Sequence, residues 1–178
     1  MIRSIANLAR NSRGAVIIEL AMVAPVLAVM VIGVVDMSNA FSRKLALEQG
    51  AQRAVEKIMQ TTDYETVEDT LKTEAVCQVN GMDSSGTCKT SPITTSNATV
   101  TWRQECSDSS GSTTVASTQD STAFNNLTCP SAKPKEARYL QIALTDKYTP
   151  MFPLHFSSFD ADGSYHMSAT AGMRIPIE

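Results

Sequence analysis

The stretch that decides the fold is "RNSRGAVIIELAMVAPVLAVMVIGVVDMSNA", which runs from Arg10 to Ala40. It contains a run of 21 residues, Ala15–Val35, in which Glu19 is the only charged side chain. At ~1.5 Å per residue, an α-helix of that length covers the ~30 Å hydrocarbon core of a bilayer. The stretch therefore predicts a membrane-spanning helix, residues 15–35, that carries one carboxylate in need of an explanation.

The distribution of charge indicates how such a helix is oriented. Residues 1–14 carry three arginines and no acidic residue, whereas the rest of the chain has 12 basic and 18 acidic residues, a net charge of −6. A basic tip before an apolar run is typical of a protein whose N-terminus stays in the cytoplasm and whose body is exported. No basic patch with interleaved aromatic residues occurs in the sequence, so we expect no nucleic-acid partner.

Glu19 is costly in this position unless it has a partner. A carboxylate in hydrocarbon costs about 2.5–3.5 kcal/mol on insertion scales. If the chain is cut after Gly14, the new amine of Ala15 lies about one helical turn from Glu19. That amine, or the amine of a neighbouring subunit, would neutralise the carboxylate. The alternative is that Glu19 lies at the headgroup boundary, and the residues alone leave both interpretations open.

The N-terminal segment has two other possible fates. Signal peptidase could cut after the small-x-small site Ser38-x-Ala40, before Phe41. The apolar run is longer than the ~7–15 residues of a secretory signal, which disfavours this fate. The chain could also remain uncut, as a simple anchored protein that keeps residues 1–14.

The stretch "RGAVIIELAMVAPVLAVMVIGVVDMSNAF", Arg13–Phe41, resembles the N-terminus of TadE-like proteins, the minor pilins or pseudopilins of tight-adherence (Flp-type) pilus systems. The resemblance extends over residues 13–59. It implies a basic leader, residues 1–14, that a prepilin peptidase removes after Gly14. In this resemblance Gly14 is the last leader residue, Ala15 the new N-terminus and Glu19 the conspicuous acid. Pro25 is the helix proline, and Gly33 and Asp36 are the pair at the outer end of the helix.

The resemblance also implies a function. The chain would be a minor pilin-like subunit for assembly, priming or regulation of a type IV pilus of the tight-adherence class. Its expected partners are the major pilin, other minor pilins, the inner-membrane assembly platform and the prepilin peptidase. It would sit in the inner membrane with a periplasmic C-terminal domain, without enzymatic activity. The alternative is an unprocessed bitopic inner-membrane protein with a periplasmic scaffold or sensor domain.

The helix is expected to continue beyond the membrane. Residues 36–60 are rich in good helix formers, and one apolar stripe recurs at steps of four, three and four residues: Leu47, Ala51, Ala54 and Ile58. Pro25 predicts a kink, and Gly50 weakens the helix or marks a bend. A second helix is predicted over residues 61–77, with Thr62 or Asp63 as its N-cap.

Three later segments alternate apolar and polar residues with period two, which predicts strands over residues 97–106, 137–146 and 164–175. They form a three-stranded antiparallel sheet that buries one face against the long helix. The expected fold class is therefore α+β, a long helix packed on a small pilin-like sheet, with the exported domain at residues 61–178.

Cysteines and loops complete the sequence. Four cysteines in the exported part indicate two disulfides, and the local pairing, Cys77–Cys88 and Cys106–Cys129, is favoured because each bond would close one polar loop. Residues 107–123, mostly Ser, Thr, Gly and Asp, predict a mobile surface loop. Asp160-x-Asp162-Gly163 is read as a β-turn rather than a calcium loop. No catalytic constellation, metal site or cofactor site is expected, and the two histidines stand apart from any nucleophile.

Overall fold

The computed structural model describes residues 12–60, 67–151, 160 and 162–175. Helices and strands follow one another as α1 (Ser12–Met59), α2 (Val67–Asn80), β1 (Ala98–Ser107), β2 (Thr113–Thr118), α3 (Ser121–Asn125), β3 (Lys135–Tyr148) and β4 (Tyr165–Ile175). The strands form one antiparallel sheet in the order β2-β1-β3-β4. The predicted α+β class is confirmed.

Helix α1 is a single helix of 48 residues. No proline follows Pro25 within it, and its second half is made of good helix formers, so no residue there ends the helix. The stripe predicted to face the domain is buried, with at most 4% of any of its side chains exposed: Leu47, Ala51, Ala54 and Ile58. The helix therefore belongs to the domain in its second half only.

The sheet buries the face that the alternation predicts. In β1, buried and half-buried residues alternate without exception, and Val100 and Trp102 point inward. In β3 and β4 the inward residues include Leu140, Ile142 and Met173. These side chains, with those of α1 and α2, form one apolar core. All three predicted strands are present, each within about two residues of its expected ends.

The sequence prediction for residues 107–123 is wrong over most of that range. Instead of a mobile loop, Thr113–Thr118 forms β2, which pairs with β1 along the edge of the sheet. The physical reason is that threonine and valine are β-branched, so a polar run of them suits an exposed edge strand. Asp120 then caps α3 by accepting from the backbone N–H groups of Thr122 (2.8 Å) and Ala123 (3.3 Å).

Helix α2 ends later than predicted, at Asn80 rather than Cys77. The buried Asn80 side chain donates to the carbonyl oxygens of Lys89 and Ile93 (both 2.7 Å) and accepts from the Ile93 N–H (3.1 Å). Gly81 has φ of 75°, a conformation that glycine adopts readily, and ends the helix there. The predicted N-caps, Thr62 and Asp63, lie outside the described residues.

Both disulfides are present with the local pairing that the sequence favours, Cys77–Cys88 and Cys106–Cys129. The first ties the last turn of α2 to the loop that follows it. The second ties the end of β1 to the segment between α3 and β3. In the chain-entropy model each bond contributes about 2–4 kcal/mol by restricting the unfolded chain.

Gly50 is a contact point between two helices. A Cβ atom at this position would overlap Cγ2 of Val79 and lie 3.3 Å from the carbonyl oxygen of Ala75, both on α2. The absence of a side chain therefore lets α1 and α2 approach closely. Its role is packing, which the sequence prediction of a weak point or bend did not include.

We expect Gly50→Ala to lower the free energy of unfolding by about 1–3 kcal/mol, because the added methyl overpacks the α1–α2 contact. The measurement is chemical denaturation of the full chain in detergent. Intrinsic helix propensity predicts the opposite sign, since Ala is favoured over Gly by ~1 kcal/mol.

The matched control is Val79→Ala, which removes the overlapping methyl group. In the double variant, the loss caused by Gly50→Ala should be smaller than in the wild-type background. Additive effects of the two substitutions, or a gain in stability from Gly50→Ala alone, would contradict the packing role.

Candidate functional site

The first half of α1 is an exposed apolar surface. The described part of the protein buries none of the most apolar 18-residue window, which has a mean hydropathy of 2.5. Large apolar side chains such as Val16, Met22 and Met30 are each more than 60% exposed. This surface far exceeds the apolar patches that soluble proteins leave in water. The helix is long and apolar enough to cross a membrane.

Glu19 lies within this exposed apolar surface. Its side chain is exposed and makes no hydrogen bond or ion pair with any residue that the structure describes. A partner for its charge therefore has to come from outside the described part of this chain, or from solvent and headgroups. Gly14 and Ala15 lie in the first turn of α1, N-terminal to Glu19.

Pro25 and Gly33 lie in the same half of the helix. Helix α1 continues through Pro25, and the kink predicted there stays a prediction. At Gly33, a Cβ atom would meet nothing within 4 Å. No described residue of the protein fills the space that this glycine leaves open.

Asp36 connects the exposed half of α1 to the domain. Its Oδ1 atom accepts from the backbone N–H of Met151 (3.1 Å) and from the Tyr148 hydroxyl (3.4 Å), which also reaches the Asp36 carbonyl oxygen (3.4 Å). Burial, followed by the negative charge of Asp36, raises the pKa of Tyr148. The phenol therefore stays protonated and remains a donor at neutral pH.

Two cations, about two turns further along α1, complete this attachment. Arg43 Nε lies 3.0 Å from Oδ2 of Asp146, a carboxylate that is only 7% exposed. Oδ2 makes no hydrogen bond of good geometry with the described residues, so its contact with Arg43 is an ion pair. Lys44 donates from Nζ to the carbonyl oxygen of Ser168 on β4. Asp36, Arg43 and Lys44, which we call the collar, thus attach α1 to the ends of β3 and β4.

The collar was only partly visible in the sequence. Asp36 was named there as an acid at the outer end of the helix, but its partners Tyr148 and Met151 are more than 100 residues away. The same holds for Asp146, the partner of Arg43. No spacing rule connects them, because the contacts depend on how α1 crosses the sheet. The sequence signal that remains is a set of charged residues directly after an apolar run.

The Asp160–Gly163 segment is a turn, as predicted. The N–H of Gly163 donates to the Asp160 carbonyl oxygen (2.9 Å), and Asp162 pairs with Lys147. His166 Nε2 lies 2.8 Å from Oδ2 of Asp160. Among the described residues, no group of three or more His, Cys, Asp or Glu side chains is arranged to hold a metal ion. His155 lies outside the described residues.

Replacement of Asp36 by Ala should speed hydrogen exchange at the Met151 amide about tenfold, because a net hydrogen bond worth about 1 kcal/mol or slightly more is lost. Asp36→Asn is the matched control, since its amide oxygen still accepts from both donors. The measurement is hydrogen–deuterium exchange of the full chain in detergent. Equal exchange in wild type and Asp36→Ala would show that the collar contact does not hold this segment.

Comparison with known proteins gives a match to a protein family. Residues 14–56, about a quarter of the chain, match the model of a family described as "TadE-like protein". No curated protein and no solved structure matches the chain. The matched segment begins at Gly14 and includes the exposed apolar surface, the collar residues of α1 and most of the buried stripe. The resemblance inferred from the N-terminal motif is thereby confirmed over residues 14–56, where the chain is similar to TadE-like proteins.

Proposed function

We propose that the protein is a minor pilin-like subunit that supports assembly, priming or regulation of a tight-adherence pilus. The family match suggests involvement in that pilus system. The observation that carries the finer proposal is the exposed apolar half of α1, which the described part of the chain leaves uncovered, whereas the other half buries one stripe of side chains in the domain core. Such a surface needs lipid and neighbouring helices to cover it.

Glu19 supplies selectivity to this packing. In lipid its charge costs about 2.5–3.5 kcal/mol when it has no partner. After cleavage behind Gly14, the free amine of Ala15 on this or a neighbouring subunit neutralises that charge. A helix bundle is then favoured over an isolated helix in lipid, and Gly33 offers a neighbouring backbone a place for close approach.

The proposed location is the inner membrane, with the N-terminus in the cytoplasm and the domain in the periplasm. The basic tip supports this orientation, and two disulfides fit an oxidising compartment. The partners are the major pilin, other minor pilins, the assembly platform and the prepilin peptidase. The work of the subunit is associative rather than enzymatic.

A second candidate is an uncut bitopic membrane protein with a scaffold or sensor domain. One observation favours it: the Gly14–Ala15 bond lies in the first turn of α1. A peptidase needs access to the backbone at the bond it cuts, so cleavage there requires that this turn unwind.

The native N-terminus distinguishes the candidates. We expect intact mass and terminal peptide mapping of the membrane fraction to give a chain that begins at Ala15. A chain that keeps Met1 would support the uncut anchor. A soluble chain that begins at Phe41 would overturn both membrane-anchored candidates.

Glu19→Gln tests the role of the charge. We expect co-purification with partner pilins to fall about tenfold, equivalent to ~1.4 kcal/mol, because a neutral amide cannot pair with an amine as a carboxylate does. The matched control is Glu56→Gln, the same change at an exposed site in the second half of α1. Unchanged co-purification and pilus assembly in the Glu19 variant would contradict the proposed pairing.

A further inference from the structure

The outer face of the sheet, on the side away from α1 and α2, contains a shallow hollow of about 310 Å³. It lies across β1, β3 and β4. The residues that matter for its chemistry are Arg103, Glu105, Tyr139, Gln141, Gly172 and Arg174.

Strand register places two arginines on either side of one tyrosine. Arg103 on β1 lies opposite Tyr139 on β3, which in turn lies opposite Arg174 on β4. Side chains at directly opposite positions start about 4.5–5.5 Å apart. Gly172 forms the floor, because a Cβ atom there would lie 3.1 Å from the carbonyl oxygen of Leu140. The hollow is open because this position has no side chain.

The two guanidinium groups have donors that nothing described in the chain accepts. Arg103 donates from Nη2 to Glu105, yet its buried Nε has no acceptor among the described residues. Arg174 has no hydrogen bond or ion pair with any described residue. With Glu105 counted, the hollow carries a net charge of +1. Guanidinium groups form charge-assisted hydrogen bonds with carboxylate oxygens, so a carboxylate is the group that fits.

The same chain presents a rigid carboxylate elsewhere. In the turn after α2, Asp83 Oδ1 accepts from the N–H groups of Ser85 and Thr87 (both 2.9 Å) and from the Ser85 hydroxyl (2.6 Å). Those donors, the Ser85 hydroxyl first, lower the pKa of Asp83. The turn is exposed, and Oδ2 accepts no hydrogen bond from the described residues. A fixed, ionised oxygen is therefore directed to solvent.

We propose that the hollow between Arg103, Tyr139 and Arg174 binds the Asp83 turn of a second copy of this chain. Charge complementarity supports a second copy, because the chain beyond its basic tip has a net charge of −6 and this hollow is a local positive exception. The two surfaces differ, so the contact is heterologous and can repeat from copy to copy.

The position of the two surfaces also favours the Asp83 turn. It follows α2, which packs on the inner side of the sheet, whereas the hollow lies on the outer side. A front-to-back contact between shifted copies leaves both α1 helices pointing the same way. The inference rests on the proposed function only in taking α1 as a membrane anchor.

The test is sedimentation velocity of the full chain in non-ionic detergent at low and high salt. We expect the wild type to self-associate at low salt, and Arg174→Gln or Asp83→Asn each to weaken association about tenfold. Asp108→Asn is the matched control, because Asp108 sits in a second Asp-Ser-Ser-Gly turn with the same hydrogen bonds. In both turns asparagine keeps the Oδ1 acceptor and replaces the charged Oδ2 by a neutral NH2 group, which donates instead of accepting.

Mixing the variants gives the sharper result. Arg174→Gln keeps its turn and Asp83→Asn keeps its hollow, so the mixture should form a one-to-one complex that neither variant forms alone. A monomeric wild type, wild-type association in Arg174→Gln, or an equal loss in Asp108→Asn would overturn the proposal. The native N-terminus of the membrane fraction does not depend on this contact, so failure here and failure of the pilus proposal are distinguishable.

Discussion

One helix has to satisfy two different environments, and the rest of the structure depends on that constraint. The first half of α1 is apolar on all sides, and the described part of the chain buries none of its most apolar window, as expected of a lipid-facing helix. The second half has one apolar stripe, which the sheet and α2 cover completely. The change occurs near Asp36, the first charged residue after the apolar run. The sheet, α2 and the disulfides together build the domain that buries that stripe.

The collar matters because it lies where the two environments meet. A long helix that leaves a membrane is free to swing relative to its domain unless polar contacts hold it on more than one side. Asp36 contacts the end of β3 and the backbone at Met151, while Arg43 and Lys44 contact β3 and β4. The ion pair with the nearly buried Asp146 carboxylate is harder to screen than an exposed one. These contacts fix the direction in which the domain projects from the helix.

Residue patterns predicted what is periodic and local. The 21-residue apolar run, the stripe from Leu47 to Ile58 and the alternation in β1, β3 and β4 each follow from one repeat, and all are found. The run at 107–123 was misjudged because a polar, β-branched edge strand resembles a loop in composition and gains its stability from β1. The hollow and the partners of Asp36 could not be predicted, since both depend on strand register and on where α1 crosses the sheet.

The unbroken second half of α1 has a mechanical consequence. Between Pro25 and Met59 the helix contains no proline, and its end is packed into the domain core. At about 1.5 Å per residue, those 34 residues form a rod of roughly 50 Å. A rigid rod moves as a unit, so a pull or a twist applied to its membrane end is transmitted to the sheet. The position of the domain therefore changes when the helix is displaced or rotated in the bilayer.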